Sequence, residues 1–194
     1  MINSEPCCGK TLHCGMREMN ATNVINGFSV RPGLFLTNGA TIVPGGISFT
    51  IHSVGATGCE LCLFRRTEQQ PYAVLAFPEQ FRMGNTWSMI VFGLDITEFE
   101  YAYRMDGPYD PARGLLFDKS RFLLDPYARA VTGQSRWGVR PASDSSYHAR
   151  VVEDVFDWGD FQDAHVPFQD MIIYEMHVRG FTMHESSQVE HPGT

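Results

Sequence analysis

The sequence predicts an all-β fold, a β-sandwich, between residues 28 and 135. The first observation is alternation, because four short segments place an apolar residue at every second position. These positions are Ile47, Phe49 and Ile51; Cys59, Leu61 and Leu63; Trp87, Met89 and Val91; and Phe99, Tyr101, Tyr103 and Met105. A period of two is typical of a strand with one buried face. The second observation is that turn-forming sequences such as Pro44-Gly45-Gly46 separate the segments, which indicates a sandwich of short strands.

The core of this sandwich is predicted from the same alternation. Eight side chains are expected to point mostly inward: Phe49, Ile51, Leu61, Leu63, Met89, Val91, Tyr101 and Tyr103. Residues three apart on a strand point to opposite faces, so Cys59 and Cys62 cannot close one tetrahedral metal site. We therefore interpret both as buried core cysteines.

The rest of the chain divides into three further segments. Residues 1–27 are polar and lack periodicity, and are interpreted as a tail. Residues 136–165 are expected to be an irregular, packed connector between the sandwich and residues 166–194. The nearly continuous apolar run at 171–178 is typical of a strand covered on both faces, as in a parallel sheet. One such strand cannot form a sheet, so we expect the chain to be truncated.

Composition limits the classes of function. A net charge of −7 argues against nucleic-acid binding, which needs a basic face. No apolar stretch approaches the roughly 20 residues that span a bilayer, so no membrane partner is expected. The N-terminus lacks the features of a signal peptide, and the number of cysteines is odd, at five. A reduced, cytoplasmic setting is therefore expected.

Few residues suggest a site. The tail offers a conceivable metal cluster in Cys7, Cys8, His13 and Cys14. No second pair of ligands follows it at a suitable spacing, so we predict no metal site. Tryptophans bind sugars by stacking, which makes Trp87, Trp137 and Trp158 candidates, although burial in a core is the alternative for each. His177, near the end of the apolar run, is equally a core residue or a site residue.

Several strings resemble a known family. Residues 39–53 and 56–64 are similar to the opening of the isoamylase and glycogen-debranching group. The Asp-Gly-Pro-Tyr-Asp-Pro string at 106–111 continues the similarity. The Tyr-Glu-Met-His-Val-Arg-Gly-Phe string at 174–181 resembles the first barrel strand of the same α-amylase-superfamily enzymes (glycoside hydrolase family 13). Together these two strings are highly specific, and the resemblance covers about residues 30–190.

The resemblance implies a domain order and an activity. The family places an immunoglobulin-like β-sandwich, a family-48 carbohydrate-binding module, before a (β/α)₈ catalytic barrel. It hydrolyses α-1,6 branch points in glycogen, amylopectin or limit dextrins with retention, and needs no cofactor. The implied partners are α-glucan and the catalytic barrel of the same chain. The family's catalytic carboxylates lie on later barrel strands, so no catalytic residue maps to this chain, and Glu175 is assigned no catalytic role.

Three roles for this chain remain open. It is the front part of a debranching enzyme, an autonomous glucan-binding module, or a structural domain that positions the barrel. The last is preferred over the second, and a pullulanase is the alternative parent enzyme. The candidate carbohydrate-binding residues are Trp87, Trp137 and His177. The odd-numbered face of residues 171–178 is expected to turn toward the substrate, with His177 closest to the sugar.

Overall fold

The computed structural model describes residues 19–134, 138–139, 147–153, 156–162 and 165–193. Tertiary contacts divide the chain into two units, Met1–Asp154 and Val155–Thr194. Tryptophan 137 and the cysteines of the predicted tail cluster lie outside the described residues. None of the helices in the described part of the chain has the length and apolarity needed to cross a membrane.

The first unit is built of thirteen strands among its described residues. They are β1 (Asn23–Ile25), β2 (Phe28–Pro32), β3 (Gly39–Val43), β4 (Gly46–His52), β5 (Gly58–Arg65), β6 (Pro71–Ala76), β7 (Arg82–Met83), β8 (Thr86–Phe92), β9 (Phe99–Asp106), β10 (Tyr109–Asp110), β11 (Leu115–Leu116), β12 (Ala130–Thr132) and β13 (His148–Arg150). Short 3₁₀ turns at Glu79–Phe81 and Pro111–Arg113 interrupt them.

These strands form two antiparallel sheets and a small hairpin. The first sheet has the order β1-β2-β8-β4-β3, with β7 also paired to β8. The second sheet has the order β12-β13-β9-β5-β6, and β10 pairs with β11. The four segments that alternate in the sequence are the four longest central strands, β4, β5, β8 and β9. The predicted β-sandwich is confirmed.

The core lies between the two sheets. All eight side chains predicted to point inward are buried, and all eight belong to one apolar cluster. Phe49 of the first sheet meets Tyr101 of the second edge to face, with ring centroids 5.1 Å apart. Burying a large apolar side chain contributes about 1.5–3 kcal/mol. The alternation therefore identified both the strands and the faces that hold the sheets together.

The sandwich extends beyond its predicted bounds at both ends. Strand β1 begins at Asn23, inside the segment interpreted as a tail. Strand β13, inside the predicted connector, joins the second sheet through the pairing of Ala149 with Tyr101. Each of these strands is only three residues long. A strand of three residues contains too few alternating positions for its periodicity to be recognised in the sequence.

The second unit contains little regular structure. Within residues 156–162 and 165–193, the structure has one α-helix, α1 (Val178–Thr182), and 3₁₀ turns at Phe168–Asp170 and Glu185–Ser187. Residues 171–177 form neither helix nor strand. Several of their apolar side chains are exposed, with Ile172 at 97%. A strand needs neighbours for its backbone hydrogen bonds, and none of the described residues pairs with this segment.

Candidate functional site

The structure places Trp87 in the core of the sandwich. Its side chain is 1% exposed, as expected from its place in the same alternating set as Met89 and Val91. The guanidinium of Arg82 lies over the ring, 4.8 Å from its centroid. The indole N–H is buried and has no hydrogen-bond partner among the described residues. In this arrangement the indole presents no free face on which a sugar could stack.

His177 is exposed and lies in the second unit. Its Nδ1 accepts a hydrogen bond from the backbone N–H of Gly180 at 3.0 Å, so the ring caps the first turn of α1. Since Trp87 belongs to the first unit, the structure assigns the two candidates to separate parts of the chain. Trp158 is 66% exposed and packs edge to face against Phe156.

Cys59 and Cys62 are buried on opposite faces of β5. Cys59 belongs to the core between the sheets, and Cys62 packs with Phe64 and Ala102 on the outer face of the second sheet. Burial raises the pKa of Cys59, and it raises the pKa of Cys62 to about 11. Both side chains are therefore neutral thiols at physiological pH. The prediction of core cysteines is confirmed.

Charge pairs and the chain after β11 cover part of the outer face of the second sheet. Glu60 accepts hydrogen bonds from Arg104, with the closest atoms 2.8 Å apart, and from the Lys119 ammonium at 2.9 Å. Farther along the same face, the Phe122 ring lies edge to face on Phe64. The His148 ring is also stacked on Phe64, with the two ring centroids 3.8 Å apart. These two contacts cover the Phe64 ring, so it offers no open face for stacking.

A buried carboxylate fixes the chain that leaves this face. Asp125 accepts a hydrogen bond from the Tyr101 hydroxyl at 2.7 Å and another from the Tyr127 backbone N–H at 2.8 Å. Burial raises the pKa of Asp125, while these two hydrogen bonds oppose the rise. Burial also raises the pKa of Tyr101. Together with the bridge between Tyr103 and Leu123, this arrangement anchors residues 123–128 to β9.

An open cleft of about 280 Å³ lies beside the β10–β11 hairpin. Its apolar lining includes Met105, Leu115 and Phe117, and its polar lining includes Asp118 and Arg121. Gly107 makes room for the Phe117 ring, since a Cβ at that position would lie 2.7 Å from the ring. Sequence reasoning missed this cleft because segments far apart in the chain build it. Phe117 and Asp118 carry no motif that indicates a site.

Comparisons with known proteins agree with this geometry. Residues 37–128 match carbohydrate-binding module 48, described as the isoamylase N-terminal domain. Isoamylase 1, chloroplastic, from Arabidopsis thaliana is 34% identical over 176 residues, covering 86% of this chain and 22% of that protein. Glycogen debranching enzyme from Serratia proteamaculans is 34% identical over 170 residues, covering 78% of this chain and 24% of that protein.

Solved structures support the fold. The crystal structure of pullulanase from Paenibacillus barengoltzii in complex with maltohexaose and alpha-cyclodextrin has a TM-score of 0.55 at 20% sequence identity. The match covers 76% of this chain and 20% of that one. The chain thus spans between a fifth and a quarter of the length of the relatives described above. Residues 37–128 belong to carbohydrate-binding module 48, the isoamylase N-terminal domain, and the chain is a homologue of isoamylases and glycogen debranching enzymes.

Proposed function

We propose that this chain is the N-terminal part of a debranching glycoside hydrolase that cleaves α-1,6 bonds in glycogen, amylopectin or limit dextrins. The observation that carries the proposal is its identity of about a third to isoamylases and glycogen debranching enzymes over most of the chain. The match to the Arabidopsis isoamylase covers 86% of the chain, which is more than residues 37–128 of the carbohydrate-binding module. A pullulanase is the alternative parent, and the fold similarity supports it.

In this proposal residues 171–178 become the first strand of the catalytic barrel. Their exposed apolar side chains, among them Ile172, Ile173 and Tyr174, support this assignment. Exposing such side chains forfeits about 1.5–3 kcal/mol each, which packing against later strands and helices would recover. The polar odd-numbered face then turns toward the substrate, and His177 comes closest to the sugar.

The reaction itself requires groups beyond those of this chain. A retaining glycosidase uses a nucleophilic carboxylate and a carboxylic acid about 5–5.5 Å apart, one on each side of the scissile bond. In a barrel these groups sit at the C-terminal ends of different strands. In such a barrel Glu175 would lie on one strand only, so we assign the catalytic pair to chain beyond residue 194 and require no cofactor.

Within that enzyme we propose that the sandwich acts mainly as a scaffold for the barrel. The burial of Trp87, and the covering of Phe64 by Phe122 and His148, support a structural role. Autonomous glucan binding is the second candidate, and the family match favours it. Trp137 remains a candidate for sugar stacking in that case. We propose a cytoplasmic setting, while noting that the Arabidopsis relative is named chloroplastic.

Activity measurements on two forms of the protein test the enzyme assignment. The coding sequence beyond residue 194 should supply the barrel, and the complete protein should release linear chains from amylopectin. The 194-residue chain should release no reducing sugar above that of a mock preparation, because it lacks the carboxylate pair. Turnover by the short chain contradicts the assignment of the catalytic pair. An inactive complete protein, tested on glycogen, amylopectin and pullulan, contradicts the debranching function.

A further inference from the structure

The cleft beside the β10–β11 hairpin combines an apolar lining with polar groups that have unfilled hydrogen-bonding capacity. Its volume of about 280 Å³ lies just below the range for small-molecule pockets, about 300–1,000 Å³. Met105, Leu115 and Phe117 supply the apolar part, and Leu123 completes it. A cleft of this size accommodates a single ring-sized group better than a long chain.

Asp118 gives the cleft a carboxylate that can accept hydrogen bonds. Oδ1 of Asp118 accepts from the backbone N–H of Ser120 at 2.9 Å and from its hydroxyl at 2.6 Å. These bonds hold the carboxylate in one orientation and lower its pKa, so it stays ionised at neutral pH. Among the described residues no hydrogen bond occupies the other oxygen, Oδ2.

A positively charged side chain, that of Arg121, lines the same cleft. Arg121 interacts electrostatically with Asp118, but its guanidinium makes no hydrogen bond to any described residue. The Ser53 hydroxyl also lines the cleft. A guanidinium has five N–H donors in a fixed plane, and a carboxylate oxygen accepts from hydroxyls. Donors and acceptors are therefore available around an apolar lining.

We propose that this cleft is an α-glucan subsite that holds one glucosyl unit of a chain. A pyranose ring has apolar C–H faces and a rim of hydroxyls that both donate and accept, which matches the lining and the polar groups of the cleft. The choice of an α-glucan rests on the proposed debranching function, whereas the position of the site rests on the cleft alone. Such a subsite would hold a glucan chain weakly, which fits a sandwich that acts mainly as a scaffold.

Nuclear magnetic resonance on the 194-residue chain tests the position of the site. Titration with maltotriose should shift the backbone amides of residues 53–54 and 114–123, with a dissociation constant on the order of 1 mM or weaker. Cellotriose, the β-linked trisaccharide, serves as the comparison ligand and should bind more weakly. Shifts that are absent, that cluster elsewhere, or that are equal for the two trisaccharides overturn the proposal.

Two substitutions test the roles of Asp118 and Arg121. Asp118→Asn keeps an oxygen for the Ser120 hydrogen bonds but replaces Oδ2 with a donor, and Arg121→Ala removes the guanidinium. Each should weaken maltotriose binding on the order of ten-fold or more, the loss of one charged hydrogen bond. Arg66→Ala is the matched control, because Arg66 is exposed and bonds to the Thr97 carbonyl, outside the cleft. Equal affinity in all three variants overturns the proposal.

The debranching assay separates this inference from the proposed function. If the complete protein debranches amylopectin while maltotriose leaves the cleft amides unshifted, only the subsite is refuted. If maltotriose shifts the cleft amides and the complete protein has no activity on any α-glucan, only the debranching function is refuted.

Discussion

At the scale of single residues, Asp125 combines near-complete burial with two hydrogen bonds. Its side chain is 1% exposed, and it accepts from Tyr101 and from the backbone of Tyr127. Burial disfavours the charged carboxylate and raises its pKa above the ordinary aspartate value of about 3.9. An acid whose pKa is raised in the folded state binds its proton more tightly there than in the unfolded state. Its contribution to stability is therefore present at low pH and lost as pH rises through the folded pKa.

We expect Asp125→Asn to remove this pH dependence. The unfolding free energy of the wild type minus that of the variant should decrease as pH rises from about 4 to 7. Urea denaturation at several pH values measures the difference. Asp95→Asn is the control with the opposite sign, because hydrogen bonds from Thr97 lower the pKa of the exposed Asp95. A wild-type advantage over Asp125→Asn that grows with pH contradicts the assignment.

Gly39 is a second residue whose identity the fold requires. Its φ is +87°, and a Cβ there would lie 2.9 Å from the Cβ of Tyr127. Gly39→Ala should lower the unfolding free energy by about 2–4 kcal/mol through backbone strain and overpacking together. Gly84 also has a positive φ, +60°, but nothing lies within 4 Å of its Cβ position. Gly84→Ala should therefore cost only about 1–2 kcal/mol, and equal losses would exclude a steric effect at Gly39.

At the scale of elements, β5 shows what the pleat of a strand dictates. Alternation places Cys59 in the core and Cys62 on the outer face, although only two residues separate them. This geometry followed from the sequence alone, because successive side chains on a strand point to opposite faces. Two cysteines separated by two residues can bind one metal ion on a loop, but on a strand they point to opposite faces and cannot.

Thiol reactivity tests this arrangement. In a variant with Cys7, Cys8 and Cys14 changed to serine, we expect no reaction with an aromatic disulfide reagent at pH 8 in the native state. Burial raises both remaining pKa values, and the thiolate is the reactive form. Two thiols should react after unfolding in urea. Fast reaction of the native protein, or binding of zinc by this variant, contradicts the buried arrangement.

At the scale of the whole molecule, the two units differ in how well they cover their apolar surface. Every buried member of the main core cluster lies between Val30 and Val151, within the first unit. Residues 165–193 leave large apolar side chains exposed, such as Ile172 at 97% and Tyr174 at 74%. Exposed apolar patches mark surfaces that another part of a protein normally covers.

Deleting residues 155–194 should therefore remove exposed apolar surface at little cost to the sandwich. We expect the 194-residue chain to bind a hydrophobic fluorescent dye several-fold more strongly than residues 1–154, and to self-associate as concentration rises. The urea midpoint of the sandwich should be nearly the same for both. Equal dye binding by the two proteins contradicts the assignment of the exposed apolar surface to residues 155–194. A large drop in the urea midpoint of residues 1–154 shows that the second unit supports the core.

The sequence alone determined the sandwich, its four central strands and the eight core side chains. It also determined the placement of the two cysteines, because alternation is a local consequence of the pleat. The burial of Trp87 follows from the same alternation, although tryptophan is also a residue type that stacks on sugars. Only the tertiary structure decided the rest. The pairing of β13 with β9, the hydrogen bonds of Asp125 and the cleft around Phe117 bring together segments distant in the chain. No local pattern encodes such contacts, because they form only when the sheets pack.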